Sequence, residues 1–583
     1  MESSNSSASL FSSQANIKRP RFGLPDLAVG LGILVLLYVV ARAGSQSLVR
    51  FSPPEVIPSV SLDPWNLPNY AARSTLRMFV ALGFSTLFTF VYGYAAARSK
   101  RAERVLVPLL DILQSVPVLG FLSVTVTAFI ALFRGSLLGL EAASVFAIFT
   151  GQAWNMTFSF YQSLRSVPNE LDEMAGLYRL SAWERFTRLE LPASMIGLVW
   201  NGMMSFGGGW FFLTVSEALS VNNHKFALPG IGSYVAAASE EGDLTKVLLA
   251  IAVMIVVIIS VNALFWRPLT AWVERFRIEE SESVEAPRSV TLEVLRRSRI
   301  PGLIGAPLSR LIDPVDRVTA VFGVTSRPLK TSAMRRRFGD AVSSLAVAVA
   351  LGYGAIRVSA YVADSVGFAE VGHAALLGLA TFARVVVVVV FSTLIWVPIG
   401  VWIGLNPKVC RLAQPVIQVL ASFPANFLFP LFTALLLATG ISLNVGGIVL
   451  MTLGTQWYIL FNVIAGASAI PNELREASAS LRLPTLLRWR TLILPGIFGS
   501  YVTGGITAAG GAWNASIVAE VVQYHSTTLT ADGLGAYITQ ATTVGDAPRL
   551  LLGVIIMSFY VVTTNVTVWQ RLYALSERRF SLS

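Results

Sequence analysis

The sequence predicts an all-α membrane protein made of two tandem six-helix units, and three observations carry that prediction. Hydrophobic residues make up 54% of the 583 and charged residues 13%, with a mean hydropathy of +0.64. Apolar runs long enough to cross a hydrocarbon core of about 30 Å recur along the chain. The second half repeats the first in register. Soluble domains carry about a quarter charged residues, so this chain lacks the polar surface to coat several cores in water.

The runs can be taken in order. A Ser-rich arm and Lys18, Arg19 and Arg21 precede an apolar run from Leu24 to Ala41. It is long enough to span, and is read as a retained first helix rather than a signal peptide. Further spans are expected near 76 to 97, 105 to 133, 142 to 163, 193 to 218 and 245 to 266. A second set follows near 339 to 363, 385 to 404, 412 to 438, 444 to 466, 496 to 521 and 548 to 569. The total is twelve. The divisions are an N-terminal arm 1–23, a first unit 24–266, a linker 267–338, a second unit 339–570 and a tail 571–583.

The net charge of +11 would suggest a nucleic-acid partner in a soluble chain, but its placement excludes that reading. With the N-terminus inside, the inner segments hold 34 Lys and Arg and the outer ones six, Arg50, Arg73, Arg134 and Lys225 with Arg42 and Arg384 at the span ends. Cationic loops stay on the cytoplasmic side, so both termini and the linker are expected there. The linker carries 14 basic and eight acidic residues and reads as a solvated connector. A single cysteine, Cys410, and three scattered histidines leave no disulfide, thiol or metal chemistry to expect.

The repeat holds a spacing of 303 from Trp154 and Trp457 through Glu173 and Glu476, Arg179 and Arg482, Pro192 and Pro495, and Glu217 and Glu520 to Trp266 and Trp569. Upstream the spacing is 307, pairing Arg77 with Arg384 and Pro117 with Pro424. A unit with an even number of spans returns the chain to its starting side, so the copies are related in parallel by a pseudo-two-fold along the membrane normal.

The largest inner loop of each unit joins spans four and five, at 167–192 and 470–495, with Asn169 and Asn472 expected as N-caps of a short helix. At these residues the chain resembles the permease subunits of binding-protein-dependent ABC importers. Their loop signature reads E-A-A, three residues, G, and ends hydrophobic-x-Leu-Pro; here "EMA" begins at Glu173, "EAS" at Glu476, and "LELP" and "LILP" close the loops. One departure is clear: Arg179 and Arg482 stand at the glycine position. "LYRLS" and "SLRLP" are similar to the nitrate, sulfonate, taurine and bicarbonate group, in particular its duplicated branch. The resemblance covers spans two to six of both halves.

It implies two type I ABC permease domains in an inner membrane, two cytosolic ATPase subunits, and a periplasmic or lipid-anchored solute-binding protein. Glu173, Ala175, Arg179, Glu476, Ser478 and Arg482 would then couple to the ATPases. ATP and Mg belong to those partners: none of the six lysines follows a glycine, so no P-loop is present and no cofactor is expected here. A small anion is the implied substrate. The rival is an ion-gradient-driven transporter with six plus six helices, whose usual basic motif between spans two and three is missing from "RSKRAERV" and "LNPKVCR".

Other residues qualify as pathway or gate candidates. Arg77 and Arg384, at the outer ends of the second spans, are expected to snorkel to headgroups or to hold positive potential at an outer mouth. Glu217 and Glu520 are intramembrane carboxylates, costly unless paired, and are expected to be hydrogen-bonded structural or gating groups. Pro117 and Pro424 should break the third spans. Trp210 and Trp513 either line the path or pack, paired glycines at 207, 208, 510 and 511 permit close helix approach, and Asn514 faces Phe211 across the repeat.

Overall fold

The computed structural model describes residues 23–47, 60–276, 289–300 and 349–579, apart from a few positions within those ranges that include Pro117 and Arg179. The arm and most of the linker, with "IPGLIGAPLSRLI", lie outside the described residues, as does much of the span expected at 339 to 363.

The first unit runs through helices α1 (Leu24–Ser47), α2 (Leu67–Arg98), α3 (Lys100–Ser115), α4 (Leu122–Leu132), α5 (Leu138–Arg165), α6 (Asn169–Leu177), α7 (Ala182–Arg185) and α8 (Leu191–Glu217). It continues with strands β1 (Ala218–Val221) and β2 (His224–Ala227), then helices α9 (Ile231–Glu241) and α10 (Leu244–Val261). Helices α11 (Arg267–Val273) and α12 (Val290–Arg297) follow. The described part of the linker is not merely solvated, since Ser298 donates to Asp26 of α1 at 3.0 Å and Thr291 to the Ala263 carbonyl at 3.1 Å.

The second unit repeats the order: α13 (Phe368–Leu405), α14 (Pro407–Ser422), α15 (Phe429–Thr439), α16 (Leu443–Ser468), α17 (Asn472–Ser480), α18 (Thr485–Arg488) and α19 (Leu494–Ala519). Strands β3 (Val521–Tyr524) and β4 (Thr527–Thr530) and helices α20 (Leu534–Val544), α21 (Ala547–Thr564) and α22 (Gln570–Arg579) complete it. Even the π-helical turns recur at the repeat spacing, Phe186–Glu190 with Trp489–Ile493 and Asn262–Trp266 with Asn565–Trp569.

Among the described residues seven helices are long and apolar enough to cross a membrane, or eight if one bent pair counts as a span. That differs from the expected twelve, partly because the third spans are not single rods. In the second unit, α14 and the segment Ala425–Thr439 meet at 77°. Pro424 has no N–H to continue a helix, and it pushes Phe423 into extended backbone at φ −74°, ψ 127°. In the first unit α3 ends at Ser115 and α4 starts at Leu122, with a 3₁₀ turn between them.

Two further elements were not anticipated from periodicity. After each fifth helix the chain makes a short antiparallel hairpin, with Val221 opposite His224 and Tyr524 opposite Thr527. Such two-residue turns favour positive φ, and His525 takes φ +53°. The short helices α9 and α20 follow, each closed by a left-handed glycine, Gly242 at +74° and Gly545 at +82°. Asp243 then caps α10 by accepting from Thr245 and Lys246, and Asp546 caps α21 by accepting from Arg549.

The broken third segments hold the halves together. Leu119, Leu122 and Val126 of the first unit share one apolar core with Phe429, Trp513 and Ile538 of the second. A Cβ on Gly120 would lie 2.7 Å from Val554, and one on Gly207 would lie 2.8 Å from the Ser422 hydroxyl. At the outer face the second hairpin reaches the first unit: His525 N–H donates to the Ser239 carbonyl at 2.8 Å, and the Tyr524 hydroxyl to the Gly242 carbonyl at 3.2 Å.

Candidate functional site

Three places concentrate polar side chains within this apolar frame. The first is a buried ionic lock at the end of each unit away from the loops at 167–192 and 470–495. Glu217 ends α8 and Glu520 follows α19, and both are fully buried. In the first unit Arg77 donates through Nη1 to Glu217 Oε1 at 2.6 Å and through Nη2 to the Pro229 carbonyl at 3.1 Å. Ser74 donates to Glu217 Oε1 at 2.6 Å, and the Gly232 N–H to Oε2 at 2.8 Å. The second unit reproduces these contacts at the repeat spacing. Arg384 Nη1 and the Thr381 hydroxyl each donate to Glu520 Oε1 at 2.8 Å, Gly535 N–H donates to Oε2 at 2.8 Å, and Arg384 Nη2 donates to the Asp532 carbonyl at 3.0 Å.

The lock therefore joins the second span, the fifth span and the start of α9 or α20. Its glycines are sterically required. A Cβ on Gly230 or Gly533 would stand 2.2 Å from the carboxylate it faces, while Gly232 and Gly535 press on the backbone of Thr214 and Ser516. The expectation that Arg77 and Arg384 snorkel, or hold free positive potential at a mouth, is corrected: both are buried and neutralised by a carboxylate. Their helices begin further out than the apolar run suggested, at Leu67 and Phe368, and that places each guanidinium inside the bundle.

The two locks differ in one respect. Arg73 donates to Glu141 at 2.8 Å, and Glu141 also accepts from Arg77 Nε at 2.5 Å. The repeat positions in the second unit are Ala380 and Asn444, and there Asn444 accepts from Arg384 Nη2 at 2.7 Å. Sequence comparison of the halves could not reveal Arg73 and Glu141, because neither has a charged counterpart. The repeated Gly-x-Gly of "PGIGSY" and "DGLGAY" was the available signal for the lock's amide donors.

The second place is the seam between the units. Trp210 and Trp513 do not face an open passage there. Trp210 packs edge-on against Phe206 at 5.7 Å, and Trp513 clusters with Phe382 and Tyr560, the three ring centroids 6.0 to 6.3 Å apart. Asn514 donates back to the Gly510 carbonyl of its own helix at 3.2 Å. Tyr458 instead lies between the fifth helices, its hydroxyl 3.0 Å from a Cβ position on Gly208 and its ring 3.4 Å from one on Gly511.

The third place is the pair of inner loops. Helices α6 and α17 start at Asn169 and Asn472, so the residues preceding them, Pro168 and Pro471, hold the cap position and the expected Asn caps are corrected. Glu173 and Glu476 are exposed, whereas Ala175 and Ser478 are buried and seat their helices. Arg482 is exposed with φ +47°, the left-handed geometry that explains a glycine at this position of the pattern. Arg179 lies outside the described residues. Leu177 and Tyr178 on one loop, and Leu481 and Leu486 on the other, are at least 71% exposed.

The loops are fastened by different means. In the first, Ser181 and Glu184 form a reciprocal capping box at 3.1 and 3.0 Å, and the Ser181 N–H holds the Glu184 carboxyl below its ordinary range. Buried Glu190 there pairs with Arg98 and with Arg185. In the second loop the repeat position of Glu190 is Ile493, Arg488 Nε has no hydrogen-bond partner among the described residues, and Arg475 donates to the Leu405 carbonyl at 2.5 Å.

This duplicated architecture agrees with comparison to known proteins. Residues 89–266 and 396–582 each match the family described as binding-protein-dependent transport system inner membrane component. The chain belongs to this family. It is a duplicated ABC importer permease, a multi-pass protein of the inner membrane with the tandem type I permease fold. Among curated relatives it is 24% identical over 193 residues to the nitrate import permease protein of Leptolyngbya laminosa, covering 33% of this chain and 64% of that one. It is 21% identical over 199 residues to the bicarbonate transport system permease protein of Synechococcus elongatus, covering 34% and 65%. The chain thus spans just under two thirds of the length of these relatives. Permeases of this family work with an ATPase and a substrate-binding protein.

Proposed function

We propose that the protein carries a small oxyanion, of the nitrate or bicarbonate kind, inward across the membrane, driven by ATP hydrolysis on two separate cytosolic ATPase subunits. The observation that carries this reading is the doubled inner helix. The loops at 167–192 and 470–495 present exposed apolar side chains beside Glu173 and Glu476 at matched places of two pseudo-equivalent units. Uncovered apolar groups on a polar surface gain by entering a partner's groove. Closure of an ATPase dimer would draw the two loops together and rock the units about the seam. Arg179 and Arg482 are assigned to the same contact, Ala175 and Ser478 to seating the helix behind it. The kinds of substrate come from the relatives' names, and both termini are assigned to the cytoplasm on the charge bias of the loops. Family membership disfavours the ion-gradient alternative.

The test is purification of the tagged protein in mild detergent, with the stoichiometry of bound ATPase measured. Two ATPase subunits per chain, lost when Glu173, Glu476 and Arg482 are changed to Ala, are expected. A chain that transports with no ATPase present would overturn the reading.

A further inference from the structure

The hairpin β3–β4 of the second unit closes on the carbonyl end of α9 in the first. Val521–Tyr524 pairs with Thr527–Thr530, and the turn between them carries His525 in the left-handed region at φ +53°. Three hydrogen bonds cross the seam from this turn. The His525 N–H donates to the Ser239 carbonyl at 2.8 Å, the Tyr524 hydroxyl donates to the Gly242 carbonyl at 3.2 Å, and the hydroxyl of buried Ser239 donates to the Gln523 carbonyl at 3.1 Å. The fit is close as well as polar, since a Cβ on Gly242 would lie 2.9 Å from the His525 imidazole. A helix ends in carbonyls that its own backbone cannot satisfy, and here the opposite unit supplies donors to them.

The same segments wall a cavity of about 210 Å³ on the seam. Ser239 and Glu240 of α9 and Val521 to Gln523 line it, together with the ends of both fifth helices at Thr214 to Ala218 and Val518. Rocking that parts the units at this end, and so admits a solute to the seam from that side, has to break the three bonds. Among the described residues they are one-sided. The repeat positions of Tyr524 and Gly242 are Val221 and Gly545, and Val221 has no hydroxyl to donate; Asn222, which matches His525, lies outside the described residues. One hydrogen bond shifts a two-state equilibrium by roughly fivefold, enough to bias the resting state and small enough to be broken in every cycle.

We propose that hairpin β3–β4 is a one-sided latch, which holds the units closed at the end away from the inner loops and must release α9 before a solute enters the seam. The assignment rests on the ATP-driven rocking above and names a contact that gates it. In that scheme parting of the units at this end and closure of the ATPase dimer are coupled, so weakening the latch favours both. The test uses the complete transporter with its ATPase subunits in liposomes, and reads ATP hydrolysis with and without the solute-binding protein. Tyr524→Phe is expected to raise the unstimulated rate roughly fivefold, and Ser239→Ala to do the same. The rate at saturating binding protein should stay where it was, so the stimulation factor falls. Thr528→Ala, on the exposed strand of the same hairpin, should leave both rates unaltered. Loss of fold lowers activity, so a rise separates a latch from a contact that only stabilises. A folded variant carrying both Tyr524→Phe and Ser239→Ala whose unstimulated rate equals or falls below that of the unaltered protein would overturn the latch and leave the importer reading standing. An unaltered protein that binds no ATPase would remove both.

Discussion

Replacing Arg384 by Gln should destabilise the second unit about as strongly as Arg77→Gln destabilises the first. Arg384 makes hydrogen bonds to Glu520 at 2.8 Å, to the Asn444 side chain at 2.7 Å, and to the Asn444 and Asp532 carbonyls at 3.2 and 3.0 Å. Among the described residues it is the only cation on Glu520, which has no exposed surface. Removing one member of a buried pair costs about 3–5 kcal/mol because the other charge is stranded. Thr381 and the amides of Gly535 and Ala536 still donate to Glu520, so a value near the lower end, about 3 kcal/mol, is expected. Arg77→Gln leaves Arg73 beside Glu141 but strands buried Glu217, to which Ser74 and the Gly232 amide still donate, so a loss of about the same size, about 3 kcal/mol, is expected there. The assay is a double-mutant cycle on Arg384→Gln and Glu520→Gln, read as the midpoint of denaturant unfolding in detergent. The uncharged double variant should be more stable than either single one. A single Arg384→Gln variant as stable as the unaltered protein, or a double variant worse than both singles, would refute the lock as described. The expected phenotype is also a loss of folded protein, not reduced uptake at normal expression.

Gly533→Ala forces a Cβ onto the Glu520 carboxylate, so its folded yield should fall sharply on size exclusion, whereas Gly510→Ala, with nothing within 4 Å, should behave like the unaltered protein. Ser181→Ala removes half of the capping box and should cost the first inner loop about 1 kcal/mol, measured as faster hydrogen exchange at the start of α7. Because the Glu184 carboxyl is held below its ordinary range, the stability it lends is present at neutral pH and lost as pH falls through that lowered value. Acidification should therefore lower the protection of the α7 amides relative to their intrinsic exchange rates, and Ser181→Ala should blunt that response. Glu190→Gln removes the buried carboxylate that Arg98 and Arg185 share, and should lower ATP-driven uptake with ATPase binding preserved; Ile493→Gln, at the matched place, should be milder because Ile493 carries no charge to lose.

Much of this was legible in the chain and some could not be. The register from Trp154 and Trp457 to Trp266 and Trp569 revealed the tandem units, because apolar runs and prolines leave a one-dimensional trace. Glu217 and Glu520 were marked by the cost of an intramembrane carboxylate, but their partners lie about 140 residues away and no local pattern names them. Arg77 looked like a headgroup anchor because the apolar run begins there, while the helix itself starts a few turns earlier. The hairpins escaped notice because two four-residue strands carry too little alternation to stand out from a fifth span ending in apolar residues. Glu141 was hidden for the opposite reason: repeat comparison highlights what both copies share, and its counterpart is Asn444.

Fusion of the two units has a consequence for the axis between them. In a permease assembled from two identical chains, every substitution near the axis appears twice, and a polar group placed there must meet its own image. Joining the copies removes that constraint, so one hairpin can carry a tyrosine where the other has a valine and one loop can keep a glutamate that the other has dropped. The two faces of the seam are then free to differ residue by residue.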